Sequence, residues 1–189
     1  MLGLNKNSVA LAPYNKDWER LFLEEKERLS QTLGNTALLI EHVGSTSVAG
    51  LSAKPIIDIA VAVQDASALY KAIPVLKQAG YDVLDNIQTD EEVLARKGTP
   101  DCRTHYIHVE IINNQRFQNH ILFRNYLRTH IKARRAYEEL KRKLAAQYGE
   151  NRKAYTAQKA DFIQEILKMA QQKEKRLYKT FSCAGKCGE

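Results

Sequence analysis

Residues 41–59 read Glu41-His42-Val43-Gly44-Ser45-Thr46-Ser47-Val48-Ala49-Gly50-Leu51-Ser52-Ala53-Lys54-Pro55-Ile56-Ile57-Asp58-Ile59. An apolar run ends in Gly-Ser, a hydroxyl-rich turn and a lysine follow, and an aliphatic run carrying one Asp closes the stretch. A small-residue turn between two strands offers backbone N–H groups and hydroxyls to an anion. A carboxylate on the next strand can then hold a divalent metal against that anion. The pattern predicts a grip on a nucleoside triphosphate that uses no P-loop.

Working outward, Ala37 to Val43 reads as a strand running into the turn, and Ile56 to Val63 as a second strand. Strand side chains alternate between faces, so Ile57, Ile59, Val61 and Val63 share one face and Asp58, Ala60 and Ala62 the other. Asp58 is thereby expected on a small-residue face with room for a ligand. A lone carboxylate in an aliphatic strand is costly unless something binds it. The same alternation recurs in Thr104-His105-Tyr106-Ile107-His108-Val109-Glu110-Ile111-Ile112, with Ile107, Val109 and Ile111 opposite Tyr106, His108 and Glu110. Side by side in one sheet, the two strands are expected to bring Asp58, His108 and Glu110 together. His105 and His108 point to opposite faces and cannot share a metal; His108 and Glu110 can.

The remainder reads mostly as helix. Residues 15–33 form an amphipathic stripe through Trp18, Leu21, Phe22, Leu29 and Leu33. Asp65 to Ala79 is helical with Pro74 inside and Gly80 closing it, and Tyr81 to Leu84 is a short strand. Residues 85–103 are polar, contain Gly98 and Pro100, and read as an exposed loop. Three helices follow, Phe117 to His130, Ala133 to Tyr148 and Arg152 to Leu177, before a small, polar tail.

Charge divides the chain. Residues 1–114 hold 11 Lys and Arg against 15 Asp and Glu, whereas residues 115–179 hold 17 against 6. The candidate metal carboxylates thus lie in an acidic half, and the basic half suits an anionic partner or a solvated set of helix faces. No apolar run approaches the ~20 residues of a membrane span, and the N-terminus lacks a signal-peptide pattern. Three cysteines fit free thiols in a reducing cytoplasm. Cys183 and Cys187, with no histidine nearby, make a poor zinc pair.

These residues suit phosphate chemistry. Gly44 and Ser45 form the cradle, Lys54 meets a phosphate as a point charge, and Asp58 and Glu110 hold Mg2+. His108 either joins the metal set or hydrogen-bonds a phosphate. His42, one residue before the turn, reads as a packed histidine close enough to count among the ligand-side candidates. Arg124 and Arg128 lie one helical turn apart and suit a phosphate or carboxylate, and Tyr155 and Lys159 repeat that spacing.

The 41–51 and 53–59 motifs, with Phe123-Arg124-Asn125-Tyr126-Leu127-Arg128, Tyr137, Leu140-Lys141, Tyr155, Lys159 and Phe162-Ile163, resemble the signature of the GrpB family. The likeness spans roughly residues 8–170. It implies the nucleotidyltransferase superfamily, whose pattern is Gly-Ser, a spacer, Asp-x-Asp/Glu on one strand and a third carboxylate on a neighbour. Gly44-Ser45 and Asp58 match, and Glu110 fits the third acid. Ala60 stands where the second acid belongs, so a two-metal mechanism lacks its bridging ligand. Ala49 replaces the family's usual Pro. Relatives fused to dephospho-coenzyme A kinase link the family to nucleotide or coenzyme metabolism.

The expected architecture is α/β (α+β), a nucleotidyltransferase-like mixed sheet of four or five strands with flanking helices on one side and a C-terminal helical bundle. Residues 1–114 would form the core, 115–179 the helical region packed on it, and 180–189 a disordered tail. The expected function is that of a Mg2+-dependent nucleotidyltransferase-like protein binding a nucleoside triphosphate and a small-molecule acceptor. In it Ser45, Asp58 and Glu110 serve catalysis, and Gly44, His42, Lys54, His108, Arg124, Arg128 and Lys159 bind substrate. The alternatives are a non-catalytic nucleotide or phosphometabolite module linked to coenzyme A metabolism, and a nucleic-acid-binding protein. Few aromatics among the basic helices argue against the last.

Overall fold

In the computed structural model, which describes residues 2–84 and 89–184 (side chains as far as 173), five strands form one sheet in the order β1-β2-β5-β4-β3. They are β1 (Leu39–Val43), β2 (Ile57–Val63), β3 (Asp82–Val83), β4 (Glu92–Thr99) and β5 (Cys102–Ile111). β2 and β5 run parallel, and the other pairings are antiparallel. The sheet is mixed because the chain leaves β2 through helix α2 (Ala66–Gln78), builds β3 and β4, and returns to pair β5 against β2.

Alternation sorts the strands as expected. Ile57, Ile59, Val61, Val63, Ile107 and Val109 are fully buried in the main core, under α1 (Asp17–Leu33) and α2. Trp18, Phe22, Leu29 and Leu33 supply the buried stripe of α1. Each large aliphatic buried this way contributes about 1.5–3 kcal/mol. The Asp65 carboxylate starts α2 by accepting from the Ala68 N–H, which satisfies one of the free donors of the first turn.

The other face carries Asp58, Ala60 and Ala62, and helix α3 (Gln115–Thr129) lies across it, packing Phe117 and Ile121 against Ala60, Ala62 and Val43. Helices therefore flank both faces, α1 and α2 on one and α3, the first of the C-terminal helices, on the other. The small-residue face is room for α3 rather than for a ligand along its whole length.

Three further expectations change. The predicted loop over 85–103 contains β4, and residues 85–88 lie outside the described residues. Its polar appearance has a reason: the charged side chains of β4 are paired. Arg96 donates to Asp82 at 2.6 Å, Lys97 bonds the buried Glu25 of α1 at 2.6 Å, and Val93 and Ala95 fill the core between them. Second, the last predicted helix breaks at Gln158 and Lys159 into α5 (Arg152–Ala157) and α6 (Ala160–Ala184). Third, α6 takes in residues 180–184 of the expected disordered tail; residues 185–189, with Cys187, lie outside the described residues. α4 (Ile131–Gln147) connects α3 to this pair, and α3 packs against both α4 and α6. Among the described residues no helix is long and apolar enough to cross a membrane.

Candidate functional site

Gly44 ends β1 at φ +69°, a conformation that favours glycine. A Cβ at this position would lie 2.5 Å from the Asp58 Oδ2, so only glycine lets the turn approach the carboxylate. The chain then enters a short 3-10 turn, Ser45–Ser47, held by the Ser47 hydroxyl donating to the Gly44 carbonyl at 2.7 Å. Register places Asp58 between Val43 on β1 and Tyr106 on β5. The predicted pairing of Gly44-Ser45 with Asp58 is thus a direct contact across the first two strands.

Around this point opens a cleft of about 460 Å3, within the usual range for small-molecule sites. Gly44, Ser45, Lys54, Asp58, His108 and Lys159 all line it. Tyr106, Arg116, His120, Lys141, Arg152 and Tyr155 join them, with Phe123, Ile163 and Leu167 as an apolar wall. Asp58 is the one carboxylate among these lining residues.

The lysines are held out of water. Burial, with Arg152 and Lys159 nearby, lowers the Lys54 pKa to about 7 from an ordinary 10.5, against the opposing pull of Asp58. Burial likewise brings Lys141 to about 7, and Lys159 to about 8 although Asp58 favours its charge. Lys141 is 1 % exposed and its ammonium donates to the Ser52 carbonyl. Lys159 lies 4.4 Å and Lys54 5.5 Å from the centre of the Tyr155 ring, and Arg152 stacks over Tyr106 at 4.9 Å. Cations crowded together with one acid leave a strongly positive cleft suited to an anion of high charge.

Several expected site residues stand elsewhere. Glu110 pairs with Ala62, four residues along from Asp58, about 13 Å at the strand rise. It is fully buried and does not line the cleft. The two acids cannot share one ion, which corrects the predicted Asp58–Glu110 metal pair. His42 is on the opposite face, stacked on Phe22 at 4.7 Å and hydrogen-bonded to Thr46 at 3.0 Å. Burial lowers its pKa to about 3, so it stays neutral. Arg124 donates to Glu41 at 2.6 Å and to the His42 carbonyl at 2.9 Å, and both Nε and Nη2 of Arg128 bond the Ser47 carbonyl. The two arginines clamp the turn onto α3 and do not line this cleft.

His108 does reach the cleft. Burial opposes its protonation, but a 3.1 Å bond to Glu92 and the charges of Asp58 and Glu110 raise its pKa. Sequence reasoning assigned no role to Lys141, Arg152, Arg116 or His120. The readable signal was Lys141 itself, a lysine in the buried stripe Tyr137, Lys141, Leu144 of α4.

The donor set bears on Mg2+. Ala60, where a second acid would be expected, is fully buried beneath α3, so a two-metal centre does not fit. Asp58 alone fits one Mg2+ shared with phosphate oxygens, the way such ions are commonly held.

Comparison with known proteins agrees with the fold. Residues 8–169 match the family described as "GrpB protein". The chain is 38% identical over 171 residues to the glutamate-rich protein GrpB of Alkalihalophilus pseudofirmus, covering 88% of this chain and 98% of that one. It superposes on the crystal structure of conserved protein GrpB from Enterococcus faecalis with a TM-score of 0.79 at 34% identity, over 87% of this chain and 99% of the other. At 14% identity it also shares its fold with the Cid1 poly(U) polymerase, with a TM-score of 0.52 over 78% of this chain and 49% of that one.

Proposed function

The chain belongs to the GrpB family, and we propose that its cleft binds a nucleoside triphosphate or a comparably polyphosphorylated small molecule without transferring the nucleotidyl group. The observation that carries this reading is the convergence of half-buried Lys54 and Lys159 and buried Lys141 with Arg152 around the single carboxylate Asp58, beside the Gly44-Ser45 turn. Such lysines gain by meeting phosphate, because an anion restores the charge that burial disfavours. Ser45 offers a hydroxyl to a phosphate oxygen, and Lys54, Lys159 and Arg152 supply the countercharge. Phe123, Ile163 and Leu167 leave an apolar wall for the non-phosphate part of the ligand.

Asp58 would hold one Mg2+ against the phosphates, where the ion neutralises charge and fixes the ligand's orientation. The fold neighbour Cid1 was solved with Mg 3'-dATP bound, which supports a nucleotide in this architecture. Transfer by two metals needs a bridging acid, and the second carboxylate position holds buried Ala60.

Titration calorimetry of Mg-nucleoside triphosphates, with dephospho-coenzyme A and coenzyme A as further probes, tests the reading. Lys159→Met is expected to weaken binding about tenfold or more while leaving the melting temperature unchanged or higher. Asp58→Asn is expected to abolish the Mg2+ dependence of binding with the fold intact. Absence of binding by every probe would overturn the proposal. Pyrophosphate release with any small-molecule acceptor would overturn its non-catalytic part.

A further inference from the structure

Beside the phosphate cleft lies a group that the lysines do not explain. Glu110 on β5 is 0 % exposed, and neither of its carboxylate oxygens accepts a hydrogen bond from any described residue. Among the described residues no lysine or arginine pairs with it, and His120 is its one ion-pair partner. A carboxylate buried in this way is expensive unless a cation compensates it.

Its neighbours are imidazoles. His108 lies two residues back on the same face of β5, and His120 projects from the sheet-facing stripe of α3 between Phe117 and Arg124. His120 Nε2 stands 3.4 Å from Glu110 Oε1. One potential ligand atom from each of His108, Glu110 and His120 lies within 4.8 Å of the other two. Two atoms bound to one tetrahedral ion at about 2.0–2.1 Å are themselves about 3.4 Å apart. The His120–Glu110 pair already meets that spacing, and His108 lies within reach of both.

The surroundings match what metal-binding histidines require. The His108 Nδ1 bonds Glu92 at 3.1 Å, which leaves Nε2 free to face the cluster, and Glu92 is itself held by Arg116 at 2.7 Å. A carboxylate that fixes the tautomer and orientation of a ligating imidazole is the usual outer support of such centres.

We propose that His108, Glu110 and His120 form a binding site for one first-row divalent transition cation, with Zn2+ its default occupant. Two imidazoles and one carboxylate favour such an ion over Mg2+, which takes oxygen donors. Glu92 acts as a positioning residue. His108 and His120 also line the cleft, so the ion's remaining coordination positions open toward the cleft, available to water or to a ligand oxygen. This site shares no residue with the lysine set or with Asp58, and it does not require that the cleft bind a nucleotide.

The test uses tag-free, full-length protein stripped with a chelator, titrated with Zn2+ by calorimetry and with Co2+ by visible absorption. One tightly bound equivalent is expected, with Co2+ giving d–d bands and no thiolate charge-transfer band. His120→Gln and Glu110→Gln should each weaken Zn2+ binding by about 100-fold or more, and Glu92→Gln by about tenfold. Failure of wild-type protein to bind stoichiometric Zn2+ overturns the site, as does unaltered affinity in His120→Gln. A thiolate band moves the ion to the cysteines and likewise overturns it. If Glu110→Gln does not fold, the half-buried His120 decides the matter alone. Loss of nucleotide binding with Zn2+ binding intact would sink the phosphate reading and leave this one standing.

Discussion

The two faces of the sheet are built from the same strands and differ in nearly every property. Toward α1 and α2, Ile57, Ile59, Val61, Ile107 and Val109 form an uninterrupted apolar layer. Toward α3, the intervening residues Asp58, Ala60, Ala62, Tyr106, His108 and Glu110 are small, acidic or aromatic. A period-two backbone lets one strand serve stability on one side and chemistry on the other. The division is incomplete, because α3 seals the polar face over Ala60 and Ala62 and leaves only the Asp58 end open to the cleft.

The sharpest way to break this comparison is Ala60→Asp. Were the whole polar face a ligand surface, an acid there would restore the superfamily pattern and strengthen Mg2+ binding. Ala60 is fully buried under Phe117. The substitution is therefore expected to cost about 3–5 kcal/mol, the scale of an uncompensated buried charge. Urea denaturation measures this, and a stable variant with tighter Mg2+ binding would refute it.

On the opposite face, Ile107→Ala is expected to cost about 2–5 kcal/mol through lost burial and the cavity left behind. Ligand affinity at a saturated folded fraction should not change. A large affinity loss would mean that the apolar layer also shapes the cleft.

The smallest effect is on pH dependence. Lys54, Lys141 and Lys159 titrate near 7, 7 and 8 when folded and near 10.5 as ordinary lysines. Between those values the unfolded chain binds more protons, so their contribution to stability grows as pH rises from about 7 to about 10. A bound polyphosphate needs the lysines charged, so its affinity falls over the same window. Thermal melts should show the ligand-free protein's melting temperature rising from pH 7 to 9.5 while the ligand-induced shift shrinks. Lys159→Met should flatten both slopes, and parallel slopes in the variant would exclude Lys159 as a contributor.

Gly44, Ser45 and Asp58 were legible because a turn and the strand after it are local, and alternation alone fixes which way Asp58 points. Glu110 was misplaced because the offset between two parallel strands is written in neither of them. Slid by four residues, the same alternation would have put Glu110 opposite Asp58, and only the packing of the whole sheet selects the observed register. β4 escaped notice because Arg96 and Lys97 look solvated until Asp82 and Glu25 arrive from distant segments. Arg124 and Arg128 share a helix face as read, but their partners, the Glu41 carboxylate and the His42 and Ser47 carbonyls, come from a segment 81 to 83 residues away that no local motif announces.

The bare α-carbon of Gly44 has a consequence for how this protein can vary. Every single-base change of a glycine codon that replaces the residue without ending the chain introduces a Cβ. Here a Cβ meets both an unfavourable backbone angle and the Asp58 carboxylate. Removing the carboxylate relieves the collision but not the angle, and changing the angle would swing the Ser45 hydroxyl out of the cleft. Position 44 therefore has no one-step neighbour that preserves the site, and drift at this corner of the molecule is closed off in every direction.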